Sequence, residues 1–330
     1  NESRANNTSW RTGGKVDRDC THEDIDELAV LLKSLPEKEN LLWIGLGSNT
    51  LVRDGGFRGT VITTQGVMSQ LERRENNCVY VGAGVPGAKL ARFCVSENLS
   101  GAEFFAGIPG LVGGALAMNA GAFGGETWRH VISVETINHQ GEIHQRSPED
   151  YNIAYRSVEG PKNEWFVSAL LKFDTDMNES INIKQLLAKR AETQPTGTAN
   201  CGSVFRNPDN DHAARLIEQC GLKGKRIGGA VVSEKHANFI INDHRMNNEP
   251  ETSFHVSVRD PNIKTHANFE VRALKNTLGI SAIEFAKRSL RLSRELDSDF
   301  YTEEQEGVFN DIKTYEFIAN KEFGETGLLN

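Results

Sequence analysis

Apolar residues recur at helical spacing over residues 23–35, where Ile25, Leu28, Leu31, Leu32 and Leu35 share one face and Pro36 closes the segment. A short apolar run, Leu41-Leu42-Trp43-Ile44, halts at Gly45 and predicts a buried strand. Gly59–Thr64 and Cys78–Val81 are β-rich runs of the same kind. Helical spacing returns at 88–98 through Leu90, Ala91, Cys94 and Val95. Strand-like alternation follows at 131–137 and 165–173, then a helix at 181–191 and a break at Pro195 and Gly197. A further helix runs from Ala213 to Cys220, with a strand near 237–241. Strands and helices mix without a fixed repeat, which predicts an α+β class with more than one domain. No run approaches eighteen apolar residues, so no membrane-spanning helix is expected, and Asn1–Arg4 is not followed by the apolar core of a signal peptide.

Three glycine-rich segments interrupt this pattern. Gly45-Leu46-Gly47-Ser48-Asn49 follows a predicted strand, where glycine N–H groups and the Ser and Asn side chains can meet one anion; local sequence by itself favours a plain tight turn. Gly82-Ala83-Gly84-Val85-Pro86-Gly87 matches the spacing G-x-G-x-x-G between a strand and a helix, with Glu103 at the distance of an acidic ribose partner. Only one such strand–helix unit is visible, so a glycine-rich turn competes with dinucleotide binding there. The third segment holds eight glycines between 101 and 125, too many for a regular helix or strand and too apolar a setting for a linker. It predicts a backbone that approaches an extended cofactor closely.

Composition narrows the classes. With 330 residues, the chain has room for a large core without staples. The net charge of −8 argues against a nucleic-acid-binding surface. Nine acidic and two basic residues between Asp297 and Asn330 account for most of it. Five cysteines, Cys20, Cys78, Cys94, Cys201 and Cys220, lie far apart with no C-x-x-C, which suits reduced thiols in the cytoplasm. No metal spacing occurs among the nine histidines, so no metal is expected.

From Thr8-Ser9-Trp10-Arg11-Thr12-Gly13-Gly14 to Ile240-Ile241-Asn242, the chain carries a series of ordered motifs. They are GLGSNTLVRDGG at 45–56, EFFAGIPGLVGGALAMNAGAFGGE at 103–126, Tyr155-Arg156, GSVFRNP at 202–208, Ala214–Glu218, and GLKGKRIGGAVVSEKHANFIIN at 221–242. On these residues the chain resembles the UDP-N-acetylenolpyruvoylglucosamine reductase family, in its type without the extra tyrosine-bearing loop. The resemblance implies a vanillyl-alcohol-oxidase-like FAD-binding module of two α+β subdomains, 1–65 and 66–195, a substrate-binding domain at 196–272, and a divergent acidic extension at 273–330. It also implies a non-covalently bound FAD, NADPH as reductant, a UDP-sugar as the small-molecule partner, a monomer, and a place in cytoplasmic peptidoglycan synthesis.

Residue by residue, the resemblance puts the FAD pyrophosphate on Gly45, Gly47, Ser48 and Asn49, and the flavin along Gly107, Pro109, Gly110, Gly113, Gly114, Asn119, Gly121 and Ala122. It makes Arg156 the cation that faces the developing negative charge, a role suited to a fork that stays charged. Ser203 is implied as the proton donor and Asn207 as a substrate ligand, with Arg190 a candidate for the substrate diphosphate. His236 lies in a strong motif and is assigned no chemistry. The family's C-terminal Pro-Glu-Val-Arg motif is matched only by Glu270-Val271-Arg272, where Phe269 stands for the proline and Pro261 precedes it, so Glu270 is the candidate third catalytic residue. Two other classes compete: an FAD oxidase of the same fold, and a flavin- or UDP-sugar-binding protein without turnover.

Overall fold

A computed structural model describes residues 7–53, 55–175 and 182–243, together with the backbone of the short strands Glu2–Ser3, Phe254–Val258 and Ala267–Val271. The chain divides into two compact units, one of residues 1–226 and 231–245, the other of residues 227–230 and 246–330.

In the first unit, a four-stranded sheet has the order Glu2–Ser3, Lys15–Cys20, Phe57–Thr63, Leu41–Ile44. Its last three strands are parallel, so the chain must cross over between Lys15–Cys20 and Leu41–Ile44. Helix Ile25–Ser34 makes the crossover. The Asp24 carboxylate caps its start by accepting from the Glu27 N–H at 2.8 Å. Leu28 and Leu32 are fully buried with Ile62, Ile137 and Val167. The loop 45–49 therefore leaves the carboxyl end of a parallel strand, where open α/β sheets hold ligands.

A five-stranded antiparallel sheet follows, in the order Ile143–Arg146, Val131–Asn138, Glu164–Lys172, Cys78–Gly82, Leu71–Arg73. Val79, Val81, Val134, Ala169 and Leu171 join one core with Leu90, Ala91 and Cys94 of helix Gly87–Ser96 and with Leu116. Here the structure departs from the sequence reading. The glycine-rich stretch contains a 3₁₀ turn at Glu103–Gly107 and a six-residue α-helix at Val112–Ala117. Glycine inside that helix serves packing: the Gly113 N–H donates to the Ala83 carbonyl at 2.8 Å, and a β-carbon on Gly113 would press on Ala83 at 3.1 Å. A short helix can carry the propensity cost of glycine when close approach to a neighbour requires it.

The G-x-G-x-x-G match proves to be a strand-to-helix turn filled from within. β-Carbons on Gly82 and Gly84 would overlap the Met68 and Val67 carbonyl oxygens, so these glycines admit the protein's own backbone.

Residues 240–242 are stitched to the N-terminal segment. The Trp10 indole donates to the Ile240 carbonyl at 2.7 Å, and the Asn242 amide group donates to the Trp10 carbonyl at 3.0 Å. In the second unit, Phe254–Val258 and Ala267–Val271 form an antiparallel pair with Glu270 opposite His255. The Glu270 side chain and residues 273–330 lie outside the described residues.

Burial lowers the pKa of His22, His130 and His236. Both ring nitrogens of His22 are buried without a partner among the described residues. The unfolded chain therefore takes up protons first: stability is full above about pH 6.5 and falls as pH drops through that value toward the lower folded pKa. The melting temperature is expected to fall between about pH 7 and about pH 5.5. His22→Leu should flatten that decline in a thermal-melt series, and an unchanged slope would remove His22 as a source.

Candidate functional site

Five segments far apart in sequence meet in the first unit. The Ser48 hydroxyl donates to the Pro109 carbonyl at 2.8 Å, and the Asn49 carboxamide donates to the Met118 thioether at 3.4 Å. Loop 45–49, carried by the parallel sheet, thus lies along segment 107–122, carried by the antiparallel one. Behind it, the Gly47 carbonyl accepts from the Ser9 N–H at 3.0 Å. Gly47 sits at φ +58°, and a β-carbon there would overlap the Asn7 carbonyl oxygen. Gly47→Val is expected to lower stability by about 1–3 kcal/mol through overpacking, in addition to disturbing the loop. Denaturant titration checks it; an unchanged midpoint would mean the loop moves aside freely.

Arg156 occupies a left-handed turn at φ +54°. Its guanidinium donates to the Asn119 carbonyl at 2.9 Å and to the Gly121 carbonyl at 2.6 Å. Its centre lies 4.9 Å from the centroid of the Tyr155 ring, and Glu126 is 3.9 Å away. Two backbone acceptors therefore aim the cation from the end of segment 107–122, while further N–H groups remain for an anion. Asn119 is buried: its carboxamide donates to the Ala154 carbonyl at 3.2 Å and accepts from the Trp128 N–H at 3.1 Å, forming the corner on which Arg156 rests.

Segment 201–207 closes the site. The buried Cys201 thiol donates toward the Gly47 and Thr50 carbonyls at 3.7 and 3.6 Å. Burial raises the pKa of this thiol, keeping it protonated as a donor. Asn207 donates to the Tyr155 hydroxyl at 3.4 Å and accepts from the Ala213 N–H at 3.1 Å. Ser203, between these anchors, is exposed, and its hydroxyl has no hydrogen-bond partner among the described residues.

The structure thus joins Gly47, Ser48 and Asn49 with Pro109 and the 118–121 stretch, and Arg156 and Asn207 through the Tyr155–Arg156 turn. Arg190 stands on helix Ile183–Thr193, where its Nε is buried without a hydrogen-bond partner and burial lowers its pKa. A half-buried cation in that state suits a phosphate oxygen. Glu270 belongs to the second unit. Cys201, Tyr155 and Met118 take part in contacts that local sequence does not show; Cys201 stood only among the reduced thiols, and Met118 only as a letter within the 103–126 motif.

An extended dinucleotide such as FAD fits these residues. A β-carbon on Gly114 would meet nothing within 4 Å, leaving open space over the helix Val112–Ala117, while Ser48 and Asn49 stand at the rim with polar groups. Ser48, Asn49, Gly114 and Gly121 would hold the group. Among the described residues no cluster of His, Cys, Asp or Glu suits a metal ion, and no helix is long and apolar enough to cross a membrane.

Residues 19–147 match an FAD binding domain, and residues 194–260 match the C-terminal domain of UDP-N-acetylenolpyruvoylglucosamine reductase. A UDP-N-acetylenolpyruvoylglucosamine reductase of Legionella pneumophila (strain Corby) is 59% identical over 244 residues, covering 73% of this chain and 79% of the relative. The enzyme of that name from Methylococcus capsulatus is 54% identical over 243 residues, with 73% and 80% covered. The crystal structure of UDP-N-acetylenolpyruvylglucosamine reductase from Thermus caldophilus superposes with a TM-score of 0.62 at 30% identity, covering 74% of this chain and 88% of that one. An α+β FAD-binding module followed by this C-terminal domain, at such identity over so much of the relatives' length, means that the chain belongs to the UDP-N-acetylenolpyruvoylglucosamine reductase family.

Proposed function

We propose that the protein reduces the enolpyruvyl ether of UDP-N-acetylglucosamine enolpyruvate to the lactyl ether of UDP-N-acetylmuramate, a peptidoglycan precursor, at the expense of NADPH and in the cytoplasm. The observation that carries this reading is the convergence of loop 45–49, segment 107–122 and Arg156, tied by the Ser48–Pro109, Asn49–Met118 and Arg156–Asn119/Gly121 hydrogen bonds.

When bound, FAD supplies the hydride relay between NADPH and the terminal enolpyruvyl carbon. The chain's own residues handle the charge and the proton. As the terminal carbon gains hydride, negative charge gathers on the adjacent carbon and its carboxylate. Arg156, already aimed by two carbonyls, faces that charge without having to reorganise, which is where fixed cations contribute most. Ser203, with a hydroxyl free of partners among the described residues, donates the proton to the adjacent carbon. Asn207, held between the Tyr155 hydroxyl and the start of helix Ala213–Gln219, orients the substrate. Arg190 takes a diphosphate oxygen. Glu270 would assist protonation as the family's carboxylate does. In this reading residues 1–65 and 66–195 hold the cofactor and 196–272 the substrate, and the protein acts as a monomer.

The purified protein is expected to be yellow and to oxidise NADPH when the enolpyruvyl UDP-sugar is added. A colourless protein that releases no flavin on denaturation would overturn the reading. Rapid NADPH oxidation by oxygen alone, indifferent to the UDP-sugar, would favour an oxidase. Tight UDP-sugar binding without turnover would favour a binding protein.

A further inference from the structure

The HANF motif at 236–239 carries no chemistry of its own, yet its asparagine is hydrogen-bonded to the segment that carries Ser203. Asn238 is 3% exposed. Its carboxamide oxygen accepts from the Phe205 N–H at 3.0 Å, and its carboxamide nitrogen donates to the Phe205 carbonyl at 2.9 Å. One side chain therefore pairs with both backbone groups of one residue, as a neighbouring β-strand would. The Asn238 carbonyl also accepts from the Val204 N–H at 2.9 Å. The Asn238 N–H in turn donates to the His236 ring at 3.3 Å, and burial keeps that ring neutral and able to accept. The three bonds to Val204 and Phe205 fall on the two residues that follow Ser203. On the other side, the Gly202 N–H donates to the Asn200 side chain at 2.9 Å and the Cys201 thiol reaches the Gly47 and Thr50 carbonyls. Gly202 itself is at φ +75°, and a β-carbon there would meet nothing within 4 Å. Ser203 thus sits exposed on a short arch with both feet fixed and no described residue fixing its crown.

We infer that Asn238 is a positioning residue for Ser203: by pairing both backbone groups of Phe205 it fixes the downstream foot of the arch, and so sets where the serine hydroxyl points. This rests on the reading of Ser203 as proton donor. Asparagine is the side chain suited to the task, since it presents one donor and one acceptor in a plane. Aspartate keeps the acceptor for the Phe205 N–H and loses the donor to the Phe205 carbonyl. Alanine loses both bonds to the Phe205 backbone.

The test uses the flavin-loaded full chain in single-turnover experiments, with Asn238→Ala, Asn238→Asp, Ser203→Ala and the double variant Asn238→Ala/Ser203→Ala. Bleaching of the flavin absorbance by NADPH is expected within about twofold of wild type in all four, because that step does not use the serine. Return of absorbance on adding the enolpyruvyl UDP-sugar should slow by about 10²-fold in Asn238→Ala, the effect of displacing a reacting group by about 1 Å. Asn238→Asp should fall between Asn238→Ala and wild type. In the Ser203→Ala background, removal of Asn238 should add less than about twofold, since a residue acting through Ser203 has nothing left to position. Multiplicative effects in the double variant, equal slowing of both half-reactions, or loss of flavin in both Asn238 variants would overturn the inference and leave Asn238 with a structural role only. Hydrogen exchange separates this outcome from failure of the catalytic reading. The Phe205 amide, which loses its acceptor, should exchange at least about tenfold faster in Asn238→Ala whether or not the wild type turns over. Unchanged exchange overturns the positioning, whereas a wild type without turnover overturns the role given to Ser203.

Discussion

Ser203→Ala is expected to slow turnover by about 10²–10⁴-fold, the range contributed by a positioned general acid. Flavin content and reduction by NADPH should stay at the wild-type level, because no described residue uses the Ser203 hydroxyl as a hydrogen-bond partner. The substitution removes one exposed oxygen from a loop whose anchors are Cys201, Asn207 and Asn238, so a fold-level explanation of the loss is weak. Ser203→Cys should recover part of the rate, since a thiol can also give up a proton. Steady-state and single-turnover rates, measured on the same preparations, decide the matter. A variant within tenfold of wild type would move the proton donor elsewhere, and Glu270 would be the next residue to substitute.

Arg156→Ala is expected to lower kcat by about 10²–10³-fold, as removal of a fixed electrostatic group does. Arg156→Lys should recover little. Arginine here donates from two nitrogens to two carbonyls, at 2.9 and 2.6 Å, and a single ammonium cannot keep both bonds and still face a carboxylate. The φ of +54° at this position is a strained value for any side chain larger than glycine. The two hydrogen bonds to Asn119 and Gly121 help to hold it, so the alanine variant loses part of the turn's support as well as the charge. The two effects separate by assay: support shows in the denaturation midpoint, charge in kcat with the midpoint restored by glycerol or low temperature. A kcat that falls only in step with the midpoint would make Arg156 structural.

Much of this arrangement is legible in the sequence, and the exceptions share a cause. Periodicity locates helix Ile25–Ser34, helix Gly87–Ser96 and the strands at 41–44, 57–63 and 131–138 to within a residue or two, because each buries one face against a core that its own spacing reports. Glycine is harder to interpret. Gly82 and Gly84 fit a nucleotide fingerprint in spacing, yet the atoms that demand glycine there are the carbonyls of Val67 and Met68. The helix at Val112–Ala117 stayed hidden because its glycines look like a loop until Ala83 is seen beside them. Asn238 likewise has a reason that lies 33 residues away, at Phe205. Each residue named here is set by a partner distant in sequence, and a local pattern has no access to such partners. The family motifs do carry that information as a whole, which is why the Tyr155–Arg156 turn and the 202–208 segment could be assigned roles before their neighbours were known. Glu270 falls where the motifs fade.

The bonds from Ser48 to Pro109 and from Asn49 to Met118 cross between two sheets that also share a hydrophobic cluster, in which Leu28, Leu32 and Ile62 pack with Ile137 and Val167. Each of these polar contacts adds about 0.5–1.5 kcal/mol to that join. A dinucleotide lying along both loops would add to that join, and its binding free energy would count as folding free energy: about 2.7 kcal/mol when free cofactor stands at a hundred times its dissociation constant. The cofactor is then also a thermodynamic brace. Cells short of flavin would hold a larger unfolded fraction of this protein open to proteolysis, and cells replete with it a smaller one.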